Sequence, residues 1–466
     1  MKHDNDYYLR EAAPVSAIAH MCVPLLAAMG VMTLASLVDA FFVGQLGDTA
    51  ALAAVALALP FTTGLMAVGD LLGTGGSTFI ARLLGAGKAG EAKRVSATNH
   101  ALALVFGVIA AVLSLAFLEP LANLLGATGD TLAPTMTYLG ILAAGAPLAV
   151  LSFVLDQDVR AEGAAKASMI GTIISAVANL VLDPLFIFAF GWGVAGAALA
   201  TVASWLVSAT YLVVYVKRGG TQSISPKDAL FTAPVLKEIL SVGFSAFAMT
   251  LLMTISAWVL DVLAAGYSAA TVAGIGIAFR VSMFAGLFTV AATVGVVPLI
   301  GYAYAAGNRT RIKELVKTVA LILAVLLAAA GAALLVFGRP LVGVFSSDPA
   351  VVDVGMFALI ALVAGVFVSS ASELILGMLQ ALGRGVPASV VSVARGVITI
   401  ALYVAGNALF AFAGLMLAGV VSEALALIVA LAFVPYLVKK VRGAGRADKE
   451  IETTEAVLIA PALEVR

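Results

Sequence analysis

One cysteine and three histidines are all that 466 residues offer to thiol or imidazole chemistry. Cys22 has no second cysteine for an intrachain disulfide and reads as a small apolar filler of the first helix. His3, His20 and His100 are scattered, which argues against a zinc site. Charge is scarce as well. Charged residues make up 11% of the chain, against about 25% in soluble proteins. The 26 basic and 26 acidic residues cancel to a net charge of zero, so no basic surplus points to nucleic acid. Glycine-rich phosphate loops, paired Cys-x-x-Cys motifs and a Gly-x-Ser-x-Gly elbow are all missing. With no catalytic constellation facing water, neither enzymatic activity nor a cofactor is expected. The first eleven residues include Asp4, Asp6, Arg10 and Glu11, which is not the basic start of a cleaved signal peptide. Residues 1–14 read as a short cytoplasmic arm.

What remains is hydrocarbon: 62% hydrophobic residues and a mean hydropathy of +1.11. A span needs about 20 mostly apolar residues. That length predicts twelve transmembrane helices, at 15–43, 50–81, 95–118, 132–157, 165–190, 194–216, 235–265, 271–303, 314–337, 350–378, 386–412 and 414–438, in an all-α membrane protein. Lys and Arg set the orientation. Arg82, Lys88, Lys93 and Arg94 lie in the second loop, Arg160 and Lys166 in the fourth, Lys217, Arg218 and Lys227 in the sixth, and Arg309, Arg311 and Lys313 in the eighth. Arg384 follows in the tenth, and Lys439, Lys440 and Arg442 in the tail. The odd loops are nearly free of basic residues, Arg339 being the exception. The even loops and both termini are therefore expected in the cytoplasm, with the chain spanning the plasma membrane.

The two halves repeat at an offset of 220 residues. Glu119-Pro120-Leu121 returns as Arg339-Pro340-Leu341, Gly87-Lys88 as Gly307-Asn308, and Arg160-Ala161-Glu162-Gly163 as Gln380-Ala381-Leu382-Gly383. The shift carries span one onto span seven, so the halves share one orientation and are related by an axis along the membrane normal. This divides the chain into a first lobe (15–216, spans 1–6), a cytoplasmic linker (217–234), a second lobe (235–438, spans 7–12) and a tail (439–466) expected to be disordered.

Two carboxylates stand inside apolar runs. Asp39 closes the run 23–38, and Asp183 interrupts 170–190 in the string Asn179-Leu-Val-Leu-Asp183-Pro184. A charged side chain at the bilayer centre costs about 2.5–3.5 kcal/mol on insertion scales, so such residues face a cavity, hold a cation or carry a proton. Counting 1.5 Å per residue from the helix ends puts Asp39 about 8 Å and Asp183 about 12 Å below the outer surface, with Thr201 at a matching height on span six. Asn179 lies one turn from Asp183 on the same face. Pro184 frees a carbonyl one turn earlier. Asp39, Asn179, Asp183 and Thr201 are therefore expected to converge as a site for Na⁺ or a proton. The second lobe has Thr399 and Tyr403 where the first has Asn179 and Asp183, and it keeps Asp261 near the repeat position of Asp39. Coupling thus reads as one-sided.

Asp70, Asp156, Asp261, Met66, Met253 and Met283 are candidates for a substrate cavity, methionine being an adaptable lining. Glu373 and Glu423 are candidate linings of the second lobe. Arg280 and Arg395 are expected to be buried and paired with one of these acids, and Asp156 is close enough in sequence to pair with Arg160.

Several strings taken together resemble the multidrug and toxic compound extrusion (MATE) family: Asp39-Ala-Phe-Phe-Val-Gly44, Gly73-Thr-Gly-Gly-Ser77 running to Ala81-Arg82-Leu83-Leu84-Gly85, Arg160-Ala-Glu-Gly163, Asn179-Leu-Val-Leu-Asp183-Pro184 and Gln380-Ala-Leu-Gly383. The resemblance covers residues 15–438. It implies a V-shaped pair of pseudo-symmetric six-helix lobes, and export of cationic, amphipathic compounds in exchange for inward H⁺ or Na⁺. It also implies a cation site at the positions of Asp39, Asn179, Asp183 and Thr201. Asp156 departs from the family, which tends to have Asn or Gln there. The expected partners are small organic cations and the lipid bilayer, with the chain acting as a monomer. The alternative is a lipid-linked precursor flippase on a related two-lobe plan, which needs Arg or Lys in its central cavity to grip pyrophosphate.

Overall fold

The computed structural model describes residues 2–444, which are helical apart from short connections. The helices are α1 (Lys2–Arg10), α2 (Pro14–Gly44), α3 (Thr49–Gly85), α4 (Ala89–Ala116), α5 (Leu118–Leu124), α6 (Leu132–Ala161), α7 (Ala165–Pro184), α8 (Gly193–Gly219), α9 (Ala233–Ala264), α10 (Ala269–Ala305), α11 (Arg309–Gly343), α12 (Pro349–Ala381), α13 (Gly385–Leu431) and α14 (Val434–Arg442). Local chemistry sets their starts. The Asp48 carboxylate accepts from the Ala50 and Ala51 amides ahead of α3, Ser268 accepts from Thr271 N–H ahead of α10, and Asp348 accepts from Ala350 N–H ahead of α12. Each side chain satisfies a donor that the first helical turn leaves open.

Eleven continuous helical stretches among the described residues are long and apolar enough to cross a membrane, and α13 crosses twice. Phe410 and Ala411 leave helical geometry, the chain doubles back, and Gly406 comes to lie against Gly414. Arg395 and Glu423 then form an ion pair at 2.8 Å. On an unbroken helix they would stand about 42 Å apart. Twelve crossings result. The turn forces Ala411 to φ 50°, where an L side chain costs about 1–2 kcal/mol. Ala411→Gly is therefore expected to stabilise the protein by about 1 kcal/mol, read as a higher thermal midpoint of the purified protein.

The internal repeat is visible in the helices themselves. α3 and α10 are both 37 residues long. Their starts, like those of α4 and α11 and of α7 and α13, differ by 220 positions, as do the ends of α6 and α12. Gly87 and Gly307, and Gly163 and Gly383, take positive φ at equivalent helix ends, a backbone that glycine adopts without a Cβ penalty.

The halves meet at the end where the basic loops lie, called here the basic end. Gly75 of α3 packs on the Ile239 carbonyl of α9, Gly243 of α9 on the Leu71 carbonyl, and Gly295 of α10 on Cys22 of α2. Arg82 pairs with Glu238 at 2.6 Å across the same junction. In lipid, which is as apolar as leucine, small residues allow the close backbone approach that holds helices together. Towards the opposite end, Gly30, Gly44, Gly64, Gly276 and Gly286 meet nothing within 4 Å. The halves are thus closed at the basic end and splayed at the other.

Two segments depart from the expected boundaries. The arm at residues 1–14, to which the sequence assigned no secondary structure, contains the helix α1. α1 lies beneath both halves: Asn5 Nδ2 donates to the Tyr215 hydroxyl at 3.4 Å, the Tyr302 hydroxyl donates to Asp6 at 3.4 Å, and Leu9 is buried. The Arg311 guanidinium, from the second half, donates to the Tyr8, Leu9 and Ala12 carbonyls at 2.8, 3.0 and 2.8 Å, closing the carbonyl end of this helix. At the other terminus, Lys439, Lys440 and Arg442 belong to α14, because Leu437 and Val441 bury against the second half. The expected disordered tail beyond Ala444 lies outside the described residues.

The segment joining the halves is docked rather than loose. Ser223 N–H donates to Ser96, Leu230 N–H to Thr98 and Thr221 N–H to Glu162. His100 Nδ1 lies 3.0 Å from the Ser223 carbonyl. The Ser223 hydroxyl and the Lys93 ammonium hold the Asp228 carboxyl below its ordinary range, because both stabilise the ionised form.

Candidate cation site in the first half

A cavity of about 310 Å³ opens between α2, α3, α6, α7 and α8. It exists because small residues on these helices (Ala35, Ser36, Ala149, Ser152, Ser175, Ala176, Ser204 and Ser208) line it where bulky ones would fill it. Asp39 of α2, Asn179 of α7, and Tyr138 and Thr201 of α6 and α8 line one region of it, and Asp156 another. Asp183 is fully buried beside it, with its carboxyl within hydrogen-bonding reach of that of Asp39. Asn179 Nδ2 donates to Asp183 Oδ1 at 3.4 Å, as the four-residue spacing on one helix face requires. The Thr201 hydroxyl is beside that of Tyr138 and also donates to the Ala197 carbonyl at 3.1 Å. Below this group α7 runs into Pro184 and then a π-helical turn at Leu185–Ala189. Such wide turns accompany functional sites in helices.

The four residues expected to converge are thus brought together. One oxygen of each carboxylate, Asp39 Oδ1 and Asp183 Oδ2, is buried and receives no protein hydrogen bond. No Lys or Arg lines the cavity. Two carboxylates this close disfavour simultaneous ionisation, and burial without a counter-charge is costly. The set suits a small hard cation or a proton, which oxygen donors of this kind accept.

The model of the MatE family matches the chain twice, over residues 24–185 and again over 245–404. The chain belongs to the MatE family. The two matches fall one in each half, in step with the repeat. Over 440 residues, spanning 94% of this MatE chain and 97% of the relative, the sequence is 34% identical to the multidrug export protein MepA of Staphylococcus saprophyticus subsp. saprophyticus. The fold is similar to that of a crystal structure of MATE in the bent conformation, with a TM-score of 0.87 and 26% identity, covering 95% of this chain and 98% of that one. It is also similar to the outward-facing conformation of a multidrug resistance MATE family transporter of the MOP superfamily, with a TM-score of 0.85 and 26% identity over 94% and 98%.

The other candidate residues of this MatE chain are dispersed. Asp70 does not line the cavity. It accepts from Gln157 Nε2 at 3.2 Å and from the Thr250 hydroxyl of α9 at 2.7 Å, and so links the two halves. Asp156 lines the cavity and is held by Arg160 and Ser168. Met66 lines the cavity. Met253 and Met283, on α9 and α10, are exposed and do not, and Asp261 is exposed near the end of α9. Arg280, expected to be buried, is exposed on α10, because the splayed halves leave this stretch of the helix uncovered. Arg395 is buried, but against two acids rather than one: it pairs with Glu373 at 3.1 Å and with Glu423 at 2.8 Å.

Tyr138 belongs to the site without standing out in the sequence. Its one signal was a lone tyrosine near the start of span four; a buried tyrosine hydroxyl needs a polar partner, and Thr201 is that partner only once α6 and α8 are packed.

Proposed function

We propose that this chain is a secondary active multidrug transporter of the plasma membrane, acting as a monomer with both termini and the basic end in the cytoplasm. It exports cationic, amphipathic compounds in exchange for H⁺ or Na⁺ and catalyses no covalent conversion. One observation carries the coupling: the Asp39–Asp183 pair, with half-buried Asp39 in the cavity wall and buried Asp183 beside it, where acids and no base line the space. The name of the staphylococcal relative, a multidrug export protein, supports the substrate class. With the basic end inside, the described arrangement is closed to the cytoplasm and open to the exterior.

In the cycle we propose, H⁺ or Na⁺ enters from outside and neutralises Asp39 and Asp183. The cavity then no longer attracts an organic cation, which leaves outward. The halves rock open at the basic end, the ion departs inward, and a new substrate binds to the recovered negative charge. An ion drives such a cycle only if it binds one arrangement better than the other or competes with the substrate. Asn179 orients Asp183 through its Nδ2–Oδ1 hydrogen bond, and Tyr138 and Thr201 add a pair of hydroxyls to the same cavity wall.

The rival reading, a lipid-linked precursor flippase, needs a basic cavity. No Lys or Arg lines this one, and the mid-depth Arg395 is outnumbered by the two acids it touches. Proteoliposomes loaded with a fluorescent organic cation, with pH and Na⁺ gradients imposed separately, test the proposal. Efflux driven by one of the two gradients is the expected result, and the gradient that works names the ion. No gradient-driven efflux under either condition overturns it.

A further inference from the structure

The repeat places unlike chemistry at like positions. Subtracting 220 from Glu373, Arg395 and Glu423 gives Phe153, Ser175 and Ala203. Phe153 and Ser175 line the first-half cavity. Where the first half has an open, acid-lined space, the second has an arginine held between two glutamates.

This cluster is deep. Arg395 lies about 15 Å along α13 from its start at the basic end, Glu373 about 12 Å from the end of α12, and Glu423 about 18 Å past the turn at Ala411. All three therefore sit near mid-membrane. Arg395 Nε and Nη2 donate to Glu423 Oε1, and Nη1 donates to Glu373 Oε1. Glu423 Oε2 is buried and receives no protein hydrogen bond. The charged groups whose fields reach Arg395 and Glu423 are the other members of the cluster, and the Tyr403 hydroxyl is the other titratable group beside Glu423. Two carboxylates and one guanidinium leave one negative charge over. Structural ion pairs inside a membrane balance, because each uncompensated charge there is expensive.

We infer that the Glu373–Arg395–Glu423 cluster is a second ion site, one that takes a proton and refuses metal cations. Arg395 already occupies the position between the carboxylates, so Na⁺ meets a fixed positive charge and finds too few free oxygens. A proton needs only one of them. The Glu423 carboxylate takes H⁺ from hydronium, leaving water and a neutral acid, with the Glu373–Arg395 pair remaining balanced beside it. Arg395 acts as a tethered counter-ion, fixed in the second half. The inference stands apart from the transport proposal, since it concerns protonation of the resting protein.

Infrared difference spectroscopy on the purified full chain in lipid nanodiscs, titrated from acidic to alkaline pH, reads this directly. A background carrying Asp39→Asn and Asp183→Asn removes the first-half pair. A protonated-carboxyl band component that disappears on alkalinisation is expected in this background and is expected to be missing from both Glu423→Gln and Glu373→Gln, read as background minus variant so that the other sequestered carboxyls, Asp70 and Asp158 among them, cancel, because either substitution leaves Arg395 one balancing acid. The band position is expected not to respond to Na⁺. Loss of the band in only one variant, its persistence in both, or its displacement by Na⁺ overturns the inference. Either variant suffices if the other fails to fold, since both make the same prediction. A failed efflux assay with an intact band would count against the transport reading and leave this one standing.

Discussion

Asp39→Asn and Asp183→Asn are each expected to cut ion-driven drug efflux on the order of 100-fold, the upper range of coupling between linked sites. Asparagine preserves size and hydrogen bonding but removes one charge. The pair then holds at most one negative charge, and the difference in charge between its loaded and unloaded forms shrinks. Since that difference is what lets an ion bias the cycle, coupling fails even where drug still binds. Stability should move the other way. Asp183 is buried and Asp39 half-buried, each with one buried oxygen that receives no protein hydrogen bond, so deleting a charge relieves a cost rather than breaking a contact. An unchanged or raised thermal midpoint beside lost efflux is the expected signature, in line with the trade between activity and stability at strained sites. Full efflux in both variants would remove the coupling site.

The second large effect concerns the closed end. A Cβ on Gly75 would overlap the Ile239 carbonyl oxygen, and one on Gly243 would overlap the Leu71 carbonyl. Neither obstacle is a side chain that can turn aside, so α3 and α9 must separate. Gly75→Val and Gly243→Val are expected to prevent closure at the basic end and hold the halves apart there, since reversing a 99:1 preference takes about 5.5 kcal/mol and direct overlap with backbone supplies energy on that scale. Spin labels at positions 82 and 238, in a variant lacking Cys22, should show a longer distance than without the valine, and efflux should fall by a factor comparable to that of the aspartate variants. Gly64→Val, where a Cβ meets nothing within 4 Å, is the control and should change neither reading. An unchanged label distance in Gly75→Val would show that the junction yields.

Much of this architecture was legible because hydrophobicity and charge act along the chain. Apolar runs fixed the crossings, and the 220-residue offset recovered from three short strings reappears in the ends of four helix pairs. Asp39, Asn179 and Asp183 stood out because carboxylates and amides are conspicuous in hydrocarbon. What escaped depends on helix rotation and packing, which leave no trace in a single string. Tyr138 looks like any tyrosine until α6 meets α8. Arg395 could be given one acidic partner from sequence, and the break between spans 386–412 and 414–438 placed the reversal, but that Glu373 and Glu423 both face it depends on helix rotation. Arg280 was placed inside by its apolar neighbours and lies outside because the halves diverge around it. Asp70 suggested a cavity lining, and its bonds to Gln157 and Thr250 appear only once the halves are set side by side.

The short helix at the N-terminus has a practical side. It is stapled to both halves, by Asn5 to Tyr215 and by Arg311 to three of its carbonyls, at the end that parts in the proposed cycle. In that cycle it sits as a door wedge would: lifting it is expected to free the halves at this end, and thickening it to jam them. A purification handle or fluorescent fusion joined to its leading residue would load the wedge, so such additions belong at the other terminus.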